Sequence, residues 1–304
     1  MENLTIGVFG ATAPMLAGRA LDFFEQEGVV VTWDRVRSST QQFLDLASGK
    51  YDLVETAFDN VIFYALSAAN VTRRKLPVRA FASLDGGMDL GVSTRKGISG
   101  YGDLHGGSVS VDAPHTGYAF VLYELLEQNG LVRGRDYNVL EHGAVAKRYE
   151  QLLQGHADAT LLNYGYETLA ARQGCGRLAR SRDHLFPYQG SVLAALGNVI
   201  EQRAVALQGF VAAYRRALDY VTNPLHWPAV VTQISQGRNI NESDAEVVLR
   251  TELSDVGLSR DVDHIDPVAA STVIRLRMKN GGLELPTGKN QTASLVDKLT
   301  RRLG

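Results

Sequence analysis

The sequence predicts an α/β protein of two similar lobes with a ligand cleft between them and a set of C-terminal helices. Three observations carry this. A strand-helix-strand-helix-strand pattern is written twice, two further strands cross between the copies, and nearly everything after residue 200 has helical periodicity. The chain has 304 residues, enough for two domains that each bury a core. The expected division is 1–90 with 192–304 in one lobe and 91–191 in the other.

Each copy opens on a short β-rich run that passes into small and polar residues, "TIGVFGATAP" at 5–14 and "SVSVDAPHTG" at 108–117. An amphipathic helix follows, ending in "LDFFEQEG" at 21–28 and "YELLEQNG" at 123–130. Then "FLDLASGKYD" at 43–52 matches "YEQLLQGHAD" at 149–158, with Gly49 and Gly155 where helices should stop in the left-handed conformation. Three matches in one order and at nearly constant offset make an internal repeat. "MDLGVSTRKG" at 88–97 reads as a strand leaving the first lobe, and "SVLAALGNVI" at 191–200 as one returning, so a hinge is expected there. Beyond it, "QRAVALQGFVAAYRRALDYVTN", "ESDAEVVLRTEL", "DPVAASTVIRLRMKNGG" and "TASLVDKLTRRL" are helices; Ser243 with Glu246 reads as a capping box.

Composition narrows the function. Apolar residues are 45% and charged residues 21%, with a net charge of −2. A basic footprint for nucleic acid is missing. One cysteine, Cys175, excludes an internal disulfide framework, and no apolar run reaches the roughly 18 residues of a membrane span. The seven histidines form no i, i+4 pair, and no dinucleotide, P-loop or nucleophile-elbow motif occurs. No metal or cofactor is expected. "MENLTIGVFG" begins almost directly as a strand. The expected location is cytoplasmic if Met1 is the native start, and periplasmic or lipid-anchored if a signal peptide was removed.

In open α/β sheets ligands bind beyond the carboxyl ends of the strands. The loops there are rich in hydroxyls, amides and small residues, which suit anionic groups at helix N-termini. The expected ligand-binding residues are Ala11, Thr12, Ser38, Ser39, Thr40, Asp59, Asn60, Asp112, His115, Thr116, Gly117, Asn163 and Tyr164, with Asp85 near the hinge. His115 is either a donor to an anion or an exposed first-turn residue. Asp112 and Asp59 are either cleft acids or helix caps, and Tyr164 and Tyr166 either stack on a ligand or pack the lobes.

With "SSTQQFLDLASGKYDLVETAFDN", "DLHGGSVSVDAPHTGYAF", "LQGHADATLLNYGYE" and "LQGFVAAYRRALDYVTNP" in this order, the chain resembles the sulfonate, taurine and thiamine-precursor branch of the type 2 periplasmic binding proteins, the SsuA/THI5-like group. The resemblance covers nearly the whole chain. It implies a ligand held between the lobes, its anionic end meeting Thr12, Ser38, Ser39, Asn60 and Thr116; a helix N-terminus favours negative charge and Thr116 adds a neutral donor, so no permanent basic residue is required. The histidine-and-cysteine motif of the yeast-type pyrimidine synthases is absent, and Gly10-Ala11-Thr12 stands where sulfinate lyases of this group carry a cysteine. The resemblance implies a solute-binding protein that brings a small organic anion (sulfonate, carboxylate or heteroaromatic) to an ABC permease. The alternative is a cytoplasmic lyase or decarboxylase on the same fold, with His115 or Asp112 as its acid.

Overall fold

The computed structural model describes residues 1–86, 90–163, 165–284 and 289–303. Ten strands run in chain order: β1 Glu2–Val8, β2 Val29–Arg35, β3 Leu53–Ala57, β4 Val78–Ser83, β5 Gly91–Thr94, β6 Gly107–Val111, β7 Tyr137–Glu141, β8 Ala159–Leu162, β9 Gly176–Arg180 and β10 Ser191–Leu196. They form two five-stranded sheets, β2-β1-β3-β10-β4 and β7-β6-β8-β5-β9. In each, three parallel strands come from the repeat, and the fourth and fifth lie antiparallel to their neighbours. The crossing strands therefore exchange: β5 enters the second sheet, and β10 returns between β3 and β4.

The helices of the first copy are α1 Ala13–Ala20, α2 Phe23–Gln26, α3 Ser39–Ala47 and α4 Phe58–Leu66. The second copy carries α5 Gly117–Glu127, α6 Val145–Leu153, α7 Tyr166–Arg172 and α8 Arg182–Leu185. After β10 come α9 Gly197–Gln202, α10 Ala204–Thr222, α11 Trp227–Arg238, α12 Glu242–Glu252, α13 Pro267–Gly281 and α14 Lys289–Leu299. Gly49 and Gly155 follow helix ends at φ of 80° and 72°, a conformation that costs glycine nothing. The start of α12 differs from expectation. Asn241, not Ser243, is the cap, accepting the Asp244 N–H at 2.9 Å.

Packing explains why two lobes stay together. One face of the first sheet buries Leu4, Ile6 and Val8 against Leu207, Phe210, Val211 and Tyr214 of α10. The other face belongs to a core that runs without interruption into the second lobe. It joins Val54, Val61 and Ile62 to Val109, Val111, Phe120 and Leu122, with Val273, Ile274 and Leu276 of α13 between them. Inside this core lies an ion pair. Arg277 of α13 grips the carboxylate of Asp59 on α4, Nε to Oδ1 at 2.8 Å and Nη2 to Oδ2, and both residues are 1% exposed. Its guanidinium lies between the rings of Phe63 and Phe120, 4.5 and 4.6 Å from their centroids. Asp59 is therefore a packing residue; its oxygens are occupied by Arg277, and the expectation that it meets a ligand does not hold.

Two outcomes follow from this packing. Removing one partner strands a buried charge, so Arg277→Met should destabilise the protein by about 3–5 kcal/mol in urea unfolding, whereas the double variant Arg277→Met, Asp59→Leu should recover a large part of the loss. Gly117 abuts Asp59 so closely that a Cβ would overlap its Cβ and Cγ. Gly117→Ala should cost about 1–3 kcal/mol through overpacking and force the lobes apart, read as a larger radius of gyration in small-angle scattering.

Candidate ligand-binding site

The cleft lies where the fold places it, at the carboxyl ends of the parallel strands of both sheets. Phe9 follows β1, while Glu55 and Ala57 end β3 and Asn60 lies in the first turn of α4. From the second lobe come Asp112, Thr116, Gly117 and Tyr118 after β6, Ala144, Val145 and Arg148 after β7, and Asn163 after β8. Together they enclose a narrow cavity of about 40 Å³, space for only about three waters. Asn163 also borders a second cavity of about 130 Å³ with Thr12, Asp85, Glu167 and Arg180.

Arg148 dominates the chemistry of the first cavity. Its side chain is 4% exposed. Nη1 donates to the Gly143 carbonyl at 2.8 Å and Nη2 to the Leu161 carbonyl at 3.1 Å. Nε has no partner, and among the described residues no carboxylate forms an ion pair with this guanidinium. Burial pushes its pKa down, against the opposing pull of Asp112 and Tyr118, although an arginine stays charged in proteins. A positive charge so fixed, with a donor left over, has the chemistry to accept an anionic group. Nothing in the loops signals it. Arg148 lies within α6, three residues after Val145 and four before Leu152, which places it on the helix face that packs inward.

Asp112 faces the same cavity. Its Oδ2 accepts the Ser39 hydroxyl at 3.0 Å, a hydrogen bond between the lobes, while Oδ1 is buried without a partner. Burial raises its pKa, with Arg148 and the Ser39 hydrogen bond pulling the other way. Glu55 takes the Phe9 N–H at 2.9 Å. Tyr118 reaches across to a hydrogen bond with Ser191, its phenol pushed well above the usual value by burial.

The remaining expected residues divide. Asn60 lines the cavity and donates to Thr56 Oγ1 at 3.0 Å; Thr116 and Gly117 also line it. Thr116 is chiefly a cap: its hydroxyl accepts the Ala119 N–H at 3.4 Å and donates to the Ala113 carbonyl at 3.0 Å. Its proton is thus committed, contrary to its expected role as a donor to the ligand. Thr12 and Asp85 belong to the second cavity, where Asp85 accepts the N–H groups of Gly190, at 3.3 Å, and Ser191. Ala11 lies at the outer mouth beside Trp33 and Arg35. Ser38 caps α3 by accepting the Gln41 N–H at 3.2 Å, and Thr40 is exposed in the first turn. His115 is exposed and lines none of these cavities, so the expectation that it faces the ligand is withdrawn. Tyr164 lies outside the described residues. Tyr166 packs on Tyr149, ring centroids 5.2 Å apart, within the second lobe.

Solved structures place this geometry in context. The alkanesulfonate-binding protein SsuA of Xanthomonas axonopodis pv. citri, bound to MOPS, superposes with a TM-score of 0.77 at 16% identity, covering 99% of both chains. The periplasmic nitrate-binding protein NrtA of Synechocystis PCC 6803 gives 0.76 at 13% identity, with 99% of this chain and 86% of that one covered. The desulfurization enzyme DszB gives 0.66 at 14% identity, over 99% and 97%. At such identities the likeness is one of fold: two mixed sheets with flanking helices, built as in periplasmic binding proteins. No curated protein matches by sequence. The NMT1/THI5-like family model, however, matches residues 11–225, well over half of the 304, and the chain belongs to that family.

Proposed function

We propose that this protein captures a small organic anion between its lobes and delivers it to an ABC permease, with Arg148 receiving the anionic group. The observation that carries the reading is the buried guanidinium of Arg148, held by two carbonyls, paired with no carboxylate and presenting an unpartnered Nε beside the cavity. Family membership and the binding of alkanesulfonate and nitrate by the two similar proteins described above support the same reading. Asn60, Tyr118 and Asn163 supply neutral polar groups around the charge, as a specific small-molecule site requires. In this proposal the division near residues 90 and 191 separates two bodies that open to admit the ligand and close on it. No helix among the described residues is long and apolar enough to cross a membrane, and the permease of this proposal is a separate chain.

The lyase reading draws on one observation, the buried Asp112 carboxyl held above its usual pKa in the same cavity. In that reading the acid is Asp112 rather than the exposed His115. Release of carbon dioxide or sulfite from a bound acid would favour it.

Arg148→Gln tests the transport reading. The substitution keeps donors for the carbonyls but removes the charge, and affinity for the bound acid should fall by roughly a hundredfold in calorimetry, on the scale of lost charge-assisted hydrogen bonds. In wild-type protein a saturating ligand should reduce the radius of gyration in scattering; an unchanged profile argues against lobe closure. A second outcome concerns stability. Because the folded Asp112 carboxyl has a raised pKa, its ionisation opposes folding. That penalty is absent well below the ordinary value of 3.8 and grows as pH rises through the carboxylate range toward the folded value. Asp112→Asn should therefore raise Tm more at pH 8 than at pH 4, and an equal change at both would contradict the assignment.

A further inference from the structure

The head of α1, in the first lobe, is a place that favours negative charge. Its amides follow the small residues Gly10-Ala11-Thr12 after β1, and the Thr12 side chain does not cap them. The place is already taken. Glu252, the last residue of α12, lies 239 positions further along the chain and is 5% exposed. Its Oε2 accepts the Ala13 N–H, the first of α1, at 2.8 Å. Pro14, the next residue, has no N–H to offer. Earlier in the same turn the Phe9 N–H goes to a second buried carboxylate, Glu55.

A cation holds Glu252 where it is. Arg238 of α11, its side chain 11% exposed, donates through Nη2 to Glu252 Oε1 and, at 3.1 Å, to the Ala11 carbonyl. The carboxylate is thus bound as a free anion would be, an amide on one oxygen and a guanidinium on the other. The pair stands between two cavities. Glu252 borders one of about 130 Å³ with Thr12, and Arg238 borders one of about 100 Å³ with Ala11. Joining α12 to α1 does not need this costly arrangement, because Ala245, Val248 and Leu249 already belong to the same apolar core as Leu16 and Ala17. What the carboxylate adds, and hydrocarbon could not, is a negative charge at the head of α1.

We infer that Glu252 is a built-in anion and a specificity-determining residue. It fills the anion-receptive end of α1, so that the first lobe turns acid groups away and leaves them to Arg148 in the second. Only the part given to Arg148 rests on the anion-capture reading above. Removing the Glu252 side chain should uncover a second anion site, built from the Ala13 N–H and Arg238 and sized for a carboxylate.

The test is chemical rescue, with acetate as the missing end of the side chain and acetamide as its uncharged counterpart. Every variant also carries Arg148→Gln, which takes the cleft guanidinium out of the comparison. Adding Glu252→Ala should lower Tm, read by scanning calorimetry. Acetate at about 100 mM should then restore about 3 °C or more, and acetamide should not. Should this variant be unfolded without acetate, its refolding as acetate is added, followed by circular dichroism, is the same result. Glu252→Gln leaves the place filled, so acetate should move its Tm no more than that of the Arg148→Gln parent. Glu252→Ala with Arg238→Met removes the cation as well and should lose the response. Equal rescue by acetamide, rescue by neither, or a parent that responds as strongly to acetate would each overturn the role given to Glu252. None of these outcomes bears on Arg148, whose part stands or falls with the ligand affinity of Arg148→Gln.

Discussion

At the seam between the two lobes lies one buried constraint, the bidentate pairing of Arg277 with Asp59. A guanidinium and a carboxylate inside a core are costly to desolvate, and such pairs often stabilise no more than well-packed hydrocarbon would. What this one supplies is geometry. The fork fits the carboxylate in one orientation, which fixes α13 against α4, and Phe120 stacks on the guanidinium from the second lobe. Gly117 then lies against Asp59 with no room for a side chain. The lobes are thus joined along a packed wall on this side. On the other side they meet through Arg172–Asp244 at 3.2 Å and Arg182–Asp255 at 3.0 Å, pairs that are largely solvated. Exposed pairs of this kind contribute little. In the anion-capture proposal, opening proceeds away from the packed wall at α13.

Two buried arginines make an instructive contrast. Arg277 has its charge matched by a carboxylate in direct contact and aromatic rings on both faces, so nothing remains for another molecule. Arg148 is similarly buried, but its bonds go to carbonyl oxygens, which orient a guanidinium without neutralising it. The same residue type thus serves as a structural rivet in one place and, in the anion-capture proposal, as the receptor in the other. The difference lies in the second partner, and burial alone does not distinguish the two.

Much of the fold was legible because the repeat encodes it. The paired runs at 5–14 and 108–117, with Gly49 and Gly155 closing matching helices, determined the β-α-β units and the exchange of strands. The cap of α12 was misread because Asn241 competes locally with Ser243 and both are good caps. The cleft's position was legible from strand ends, yet the charged groups in it were not. Loop residues such as Ser38 and Thr116 look available in sequence, but in the fold their hydroxyls serve their own helices. Arg148, Arg277 and Glu55 sit inside elements, where a charged residue reads as solvent-facing by default. The overlooked signal was their phase. Arg148 shares a helix face with Val145 and Leu152, Arg277 follows Val273 and Ile274 at i+4 and i+3, and Glu55 stands in a strand buried at every position. A charge on an apolar stripe has to be answered by another group in the interior or by a ligand.

In the anion-capture proposal, two buried atoms without partners, Arg148 Nε and Asp112 Oδ1, tie ligand capture to lobe closure. With the lobes parted, water solvates Arg148 Nε and Asp112 Oδ1; in the closed arrangement both atoms lose it and gain nothing. Each carries the penalty of an unsatisfied buried group, so the empty closed state is held back by the same atoms that make the site. In that proposal a ligand that supplies a partner removes part of the penalty that closure otherwise carries, and Ser39 and Asp112 meet across the gap as the lobes come together. Its differential affinity for the closed form is what shifts the equilibrium. In the anion-capture proposal, anion binding and the drive to close therefore have a common origin in the cavity wall.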